Sequence, residues 1–366
     1  MGADAQVAFS LVLGNPMYPP LRLLTRLGGS ALLIAALSGC NAIVMKPHGD
    51  VAVQQANLIW QSVFLMLIII VPVMVLILWF AYRYRQSANA TYTPEWDHST
   101  RLELLIWGAP LLIIIALGTI TWISTHKLDP YRPLDRINAQ TPITVPVKPL
   151  VVDVVAMDWK WLFIYPEEGI ATVNEVAAPV NRPIRFHITA STVMNAFYVP
   201  ALAGMVFAMP GMEIQLHAVM NQPGTYEGIS ANYSGAGFSD MKFRFLGLSD
   251  GDFANWVASN KQGGAALNRA EYLKLEKPSA REPVHRYGQV EDGLYDVILN
   301  RCVDGKKMCI NQMMHMDAQG GGGKGATESL LEQNLGDGRK RTVVAALCTP
   351  ANPAGLPVAD AATARP

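Results

Sequence analysis

The side chains of this sequence that could do chemistry fall into three groups. Glu103 opens the run Glu103-Leu-Leu-Ile-Trp-Gly-Ala-Pro110, where a charged loop enters an apolar stretch. A carboxylate at a membrane edge can collect protons from one side and hand them on. The same position beside Arg101 also fits a solvated interfacial carboxylate with no transport role. Met308, Cys309, Met313, Met314, His315 and Met316 form a run of soft donors. Copper(I) favours such ligands, although methionines also fill irregular packing gaps. The four cysteines are Cys40, Cys302, Cys309 and Cys348. In an exported domain a disulfide is permitted. Cys302 and Cys309 close a small loop and are the expected pair, which leaves Cys348 odd. The sequence holds no Cys-x-x-Cys-His heme attachment, and the apolar stretch Val51 to Tyr82 carries no histidine. His126 ends another apolar stretch at its outer edge and is not expected to ligate heme.

These residues must be positioned by a chain of 366 residues that is 51% hydrophobic and 16% charged. Soluble proteins usually carry about 25% charged residues. The formal net charge is zero, so nothing points to a nucleic-acid partner. The apolar excess lies in three stretches before residue 127. In the first, Arg22 and Arg26 precede the apolar run 31–37 and Ser38-Gly39-Cys40. A basic start, a short apolar core and a small-residue exit make a secretory signal. Its ending Leu-Ser-Gly-Cys resembles a bacterial lipobox, which implies cleavage before Cys40 and lipidation of that cysteine. An uncleaved signal anchor with an incidental Cys40 is the alternative. Residues 1–16 fit a signal poorly, and Met17 is the expected true start.

The second stretch, Val51 to Tyr82, has 32 residues without a formal charge, and the third, Leu104 to His126, has 23. A membrane span needs about 20 apolar residues, so both qualify, with spans expected near 55–82 and 104–126. A buried soluble hairpin is the competing reading. Pro72 and Pro110 inside them are tolerated where neighbours repair the backbone. Arg83, Arg85 and Arg101 lie between the spans, against only Lys46 between Cys40 and the first span. The positive-inside rule then puts the connecting loop in the cytoplasm and both outer ends in the periplasm.

After Lys127 the period changes to two. Trp159, Trp161 and Phe163 alternate with Asp158, Lys160 and Leu162. Ile184, Phe186 and Ile188, then Met212, Ile214 and Leu216, then Met241, Phe243 and Phe245, repeat the pattern. Such alternation predicts half-buried strands, and Pro210-Gly211 and Pro223-Gly224 read as turns. Several short strands at this spacing predict a β-sandwich over 140–255. Met205, Met209, Met212 and Met220 are expected in its core. Residues 256–318 are expected to be a helical extension, with helices over Ala265–Lys277 and Gly288–Arg301. Residues 319–366 have the Gly, Ala and Pro content of a flexible tail.

The loop Gly228-Ile-Ser-Ala-Asn-Tyr-Ser-Gly-Ala-Gly-Phe-Ser-Asp-Met241 resembles the two-copper loop of cytochrome c oxidase subunit II. That family has two cysteines four residues apart, then a histidine, then a methionine. Here those positions are Ser230, Ser234, Phe238 and Met241. Asn232 takes a further ligand position between the serines. An earlier loop of the family supplies another histidine, and in Ser191-Thr-Val-Met-Asn-Ala-Phe-Tyr-Val-Pro200 its place falls on Asn195. Copper bridged by thiolates needs soft, deprotonated sulfur, which serine and phenylalanine do not provide. The segment Met157-Asp-Trp-Lys-Trp-Leu-Phe-Ile-Tyr-Pro166 resembles the quinol-oxidase form of an aromatic segment of the same family. Over residues 30–260 the chain is therefore similar to the copper-free branch, subunit II of cytochrome bo-type ubiquinol oxidases.

The resemblance implies a mixed fold: a two-helix transmembrane hairpin (40–130), a periplasmic cupredoxin-like sandwich (140–255), and a partly helical, partly disordered extension. It implies a subunit without a copper centre or cofactor of its own in a proton-pumping ubiquinol oxidase. Heme and copper would belong to partner subunit I, with further small subunits III and IV beside it, ubiquinol as the substrate of the complex, and no cytochrome c. It places Glu103 near the entrance of a proton-uptake path of subunit I. Trp159 falls where the copper relatives have a tryptophan that helps electron entry, and without copper behind it reads as packing. A free-standing membrane lipoprotein that binds copper or a partner is the alternative, with its site at the run 308–316.

Overall fold

The computed structural model describes residues 42–318 apart from 89, 92, 146 and 306. Cys40, Cys348, the signal and the tail 319–366 lie outside the described residues. The chain divides into two compact units, 1–45 and 46–366. Of the first, only the turn from Ala42 to Met45 is described, with a short 3-10 helix at Ile43–Met45.

The second unit begins with two long helices, α1 (Asp50–Arg83) and α2 (Thr100–Lys127). Both are long and apolar enough to cross a membrane, and their most apolar stretches are uncovered by the rest of the chain. Pro72 and Pro110 sit inside them, as expected.

After a short hairpin, β1 (Arg136–Asn138) and β2 (Thr141–Pro142), come ten strands. They are β3 (Leu150–Met157), β4 (Lys160–Tyr165), β5 (Ile170–Val173), β6 (Glu175–Pro179), β7 (Ile184–Ala190), β8 (Asn195–Tyr198), β9 (Val206–Ala208), β10 (Ile214–Ala218), β11 (Gly224–Ser230) and β12 (Lys242–Leu248). The extension adds α3 (Asp250–Gly263), β13 (Ala265–Leu267), α4 (Arg269–Leu275), β14 (His285–Val290), α5 (Leu294–Leu299) and α6 (Ile310–Ala318). One sheet runs β10-β7-β3-β4-β5-β14-β13, the other β6-β12-β11-β8-β9.

Between the sheets the inward residues of each strand meet. Ile184, Phe186 and Ile188 are buried as their alternation predicts, and so are Phe243 and Phe245. The centre is aromatic: Phe197 stacks on Phe243 with centroids 5.3 Å apart, and Trp161 stands edge-on to both. Aromatic pairs of this kind add about 0.5–1.5 kcal/mol beyond their burial.

The expectation of half-buried strands fails at β4, where all six residues are buried. The cause lies more than a hundred residues downstream. Leu267, Tyr272, Leu275, Leu294 and Ile298 from the extension pack on Val155, Met157, Leu162 and Ile164, the outward face of the same sheet. Two segments expected to start as helices start as strands instead, β13 and the end of β14, which lie side by side in parallel. They join where a Cβ on Gly264 would stand 2.1 Å from the backbone nitrogen of Gly288, so only glycine fits there. The sheet therefore continues past residue 255. Among the four methionines expected in the core only Met220 is fully covered, while Met205 and Met212 are exposed. The turn at Gly211 (φ +73) runs through Met212, and β10 begins only at Ile214.

Candidate functional site

The six positions that the sequence resemblance sets against copper ligands converge at one end of the five-stranded sheet. Asn195 opens β8, Ser230 closes β11, and Met241 immediately precedes β12. Asn195, Ser230 and Met241 are buried. The hydroxyl of Ser230 donates to Asn195 Oδ1 at 3.2 Å and accepts from the Ala196 N–H at 3.4 Å. Ser230 N–H donates to the Met241 carbonyl at 3.1 Å. Ser234 Oγ lies 4.0 Å from Met241 Sδ, and Asn232 Nδ2 donates to the Met194 carbonyl at 3.2 Å. Phe238, half-buried, sets its ring edge-on to Tyr233. The loop thus satisfies its own polar groups, as buried groups must.

Trp159 closes this end of the sandwich. It stands in the β3–β4 turn at φ +64, and its Nε1 donates to the Ser234 carbonyl at 3.1 Å. A Cβ at Gly237 would come within 2.4 Å of its indole, so the loop can lie against the ring only because glycine is there.

The donor set assembled here is two serine hydroxyls, two amides and one thioether. Hard, neutral oxygens do not replace the bridging thiolates of a copper pair, so the residues present do not fit the metal site of the copper relatives. Among the described residues no three His, Cys, Asp or Glu side chains come together as a metal site.

Glu103 lies in the first turn of α2, half-exposed, with Oε1 2.7 Å from Nδ1 of His98. In the sequence the nearest charged neighbour of Glu103 is Arg101, whereas the group it meets is His98, just ahead of Ser99, which precedes the helix without a side-chain cap bond. Cys302 and Cys309 are joined by a disulfide, with Cα atoms 4.9 Å apart. Of the soft donors, Met313 and Met314 point into solvent from α6.

Three further polar groups were not singled out in the sequence. Glu175, buried, accepts from Arg286 and Arg244 at 2.7 Å each and from Trp256 Nε1 at 3.2 Å. Lys160, also buried, donates to the Lys277 carbonyl at 2.8 Å and to Ser279 Oγ at 2.5 Å. Burial holds its ammonium below the usual lysine range. Asp153 Oδ1 lies 3.0 Å from His187 Nδ1 across the β3–β7 pair. That bond pushes His187 up, and burial pushes Asp153 up. All three groups bind strands or the extension to one another.

The family model for the periplasmic domain of cytochrome c oxidase subunit II matches residues 167–245, and the one for the COX aromatic rich motif matches 261–306. The cytochrome bo(3) ubiquinol oxidase subunit 2 of Pseudomonas putida is 49% identical over 266 residues, 72% of this chain and 82% of that protein. The chain belongs to the ubiquinol oxidase subunit 2 family. The ubiquinol oxidase subunit 2 of Acetobacter aceti is 48% identical over 286 residues, covering 77% of this chain and 90% of its own. The quinol oxidase subunit 2 of Bacillus subtilis is 36% identical over 250 residues, covering 67% and 75%. Membership in this family sets aside the free-standing copper lipoprotein.

Proposed function

We propose that this chain is the structural, non-catalytic subunit II of a proton-pumping terminal oxidase that passes electrons from ubiquinol to oxygen. The observation that carries the reading is the hydrogen-bonded web of Asn195, Ser230 and Met241 where a copper relay would need thiolate and imidazole. A quinol dissolves in the bilayer and can reach a site among membrane helices, so no water-soluble donor has to dock on the sandwich. Electrons then bypass this chain. Heme and copper belong to subunit I, against which α1 and α2 pack. Subunits III and IV complete the assembly, and cytochrome c is no partner. The chain resides in the bacterial inner membrane with both mature ends in the periplasm, held additionally by a lipid on Cys40.

Glu103 gathers protons on the cytoplasmic side for the uptake path of subunit I. Its bond to His98 gives that carboxylate a second titratable group within one hydrogen bond, a short relay from solvent to the membrane edge. The test is to tag the chain, solubilise membranes gently, and measure heme, copper and oxygen uptake with ubiquinol and separately with reduced cytochrome c. Co-purified heme and quinol-only uptake are expected; a heme-free preparation without uptake overturns the reading. Glu103→Gln is expected to slow turnover, and unchanged turnover removes Glu103 from the proton path.

A further inference from the structure

The outer ends of α1 and α2 part to leave a polar cleft in an otherwise apolar hairpin. It is lined by Gln54, Asn57 and Gln61 of α1 and by Ser124 and Lys127 of α2. Residues 54, 57 and 61 fall on one face of a helix, here the face turned to α2. Gln54 is engaged, donating to Asp50 Oδ2 at 2.8 Å. Among the described residues the side chains of Asn57, Gln61 and Lys127 have no hydrogen-bond or ion-pair partner. The lining contains amides, one hydroxyl and one cation, with no carboxylate of its own, and Asp50 stands just beside it as the partner of Gln54.

The depth of the cleft follows from helix length. Residues 62–82 of α1 rise about 31 Å at 1.5 Å each, which matches a hydrocarbon core of about 30 Å. Residues 104–123 of α2 rise about 30 Å by the same measure. Gln61 then stands at the edge of the core, and Asn57, Gln54, Ser124 and Lys127 lie in the headgroup layer. Trp60 and Trp122, 60% and 71% exposed, stand at the same level, where tryptophans anchor at membrane interfaces.

We propose that this cleft binds the phosphodiester headgroup of one phospholipid, its acyl chains lying along the exposed apolar flanks of α1 and α2. Phosphate oxygens accept from ammonium and amide donors through short bonds, charge-assisted where the donor is the ammonium. Unpartnered amides at the core edge are costly unless something supplies acceptors, and a phosphodiester supplies several. The proposal rests on the reading of α1 and α2 as membrane spans and not on the quinol reaction.

The test uses the complex containing the full chain, delipidated in mild detergent and then titrated with phosphatidylglycerol, with bound lipid counted by native mass spectrometry. Wild type is expected to retain one phospholipid more than Lys127→Gln or the double variant Asn57→Leu/Gln61→Leu, each binding about tenfold more weakly. Failure of millimolar inorganic phosphate to displace that lipid supports a headgroup with acyl chains. Full displacement by phosphate reduces the cleft to a simple anion site and overturns the proposal. Equal lipid counts in wild type and both variants overturn it as well, and show the cleft to be filled by water or by another subunit. Alkaline extraction of membranes separates the two readings. A chain released by alkali refutes the spans themselves, whereas equal lipid counts in a chain that stays with the membrane refute the lipid site alone.

Discussion

Trp159 offers a sharp test of how the loop 228–241 is held. The indole is half-buried, bonded through Nε1 to the Ser234 carbonyl at 3.1 Å, and covered by the backbone at Gly235 and Gly237. A fully covered aromatic side chain buries about 150–250 Å². Removing half of that from water is worth about 2–3 kcal/mol, and the hydrogen bond adds about 1 kcal/mol. Trp159→Ala should therefore destabilise the sandwich by about 3 kcal/mol, the lower end of that sum because extended-chain areas overstate burial. For a folded unit of this size that is a fall in Tm of about 6–12 °C. Backbone geometry adds a second expectation. Trp159 has φ +64, a left-handed conformation that costs a residue with a Cβ about 1–2 kcal/mol. Glycine escapes that cost and gives back part of it in chain entropy. Trp159→Gly should thus be more stable than Trp159→Ala, the reverse of the usual order. The assay is thermal unfolding of the purified complex followed by circular dichroism, with amide hydrogen exchange over 231–241 to locate the loss. Exchange in the loop should accelerate in both variants. Ubiquinol turnover should stay at the wild-type level if electrons bypass this loop as proposed. An alanine variant more stable than the glycine variant refutes the strain argument. Reduced quinol turnover in an otherwise intact complex refutes the bypass.

Other consequences are open to simpler measurements. Glu175→Gln removes one charged acceptor from between Arg244, Arg286 and Trp256; because both guanidinium groups keep access to water, the expected loss is about 2 kcal/mol, read as a lower Tm, and a Tm unchanged within error contradicts it. The Ser279 hydroxyl, then burial opposing it, then His285 leave the Glu282 carboxyl below its ordinary value of 4.5. Its contribution to holding the segment 276–285 is therefore complete above that value and disappears as pH falls through the lower folded-state pKa, so proteolysis of this segment should rise at acid pH in wild type and show no such step in Glu282→Gln. Replacing Cys302 and Cys309 by serine opens a short loop, which chain entropy values at about 2–2.5 kcal/mol; α6 should then exchange its amides faster than α5, and equal rates before and after the substitution argue that the disulfide constrains nothing.

What could be read in the sequence was what local pattern encodes. Ile184, Phe186 and Ile188 sit two apart because a strand presents every second side chain to one face, and that rule needs no knowledge of the partner sheet. The spans were legible because length and apolarity suffice. Lys160 and Leu162 do lie on the outward face, but that face is covered by residues 267–298, and period two says nothing about a second layer. Glu175 escaped notice for the same reason: its partners lie 69, 81 and 111 residues away in the chain. His98 was missed because an exposed pair depends on how a loop turns into a helix, which neither charge nor period records. The loop 228–241 was found through family resemblance, and its hydrogen bonds became visible only in three dimensions.

The arrangement of this end of the sandwich shows how its loops can be held by side chains alone. The aromatic centre formed by Trp161, Phe163, Phe197 and Phe243 lies between the sheets, whereas the matching ligand positions sit at strand ends and in the loop beyond Ser230. A metal at that place would fasten loop to loop, so its loss calls for new fastenings of the same loops and nothing deeper. Asn195 and Ser230 join the start of β8 to the end of β11, and Trp159 holds the loop from the β3–β4 turn. Each is a neutral hydrogen bond worth about 1 kcal/mol, and their sum together with the indole contact is of the order needed to keep a short loop in one conformation. If these contacts replace the metal mechanically, removing Asn195 and Trp159 together should loosen 231–241 by more than the sum of the single variants, since each leaves the other to hold the same loop. Additive exchange rates in the double variant would show that the loop is held by something other than these contacts.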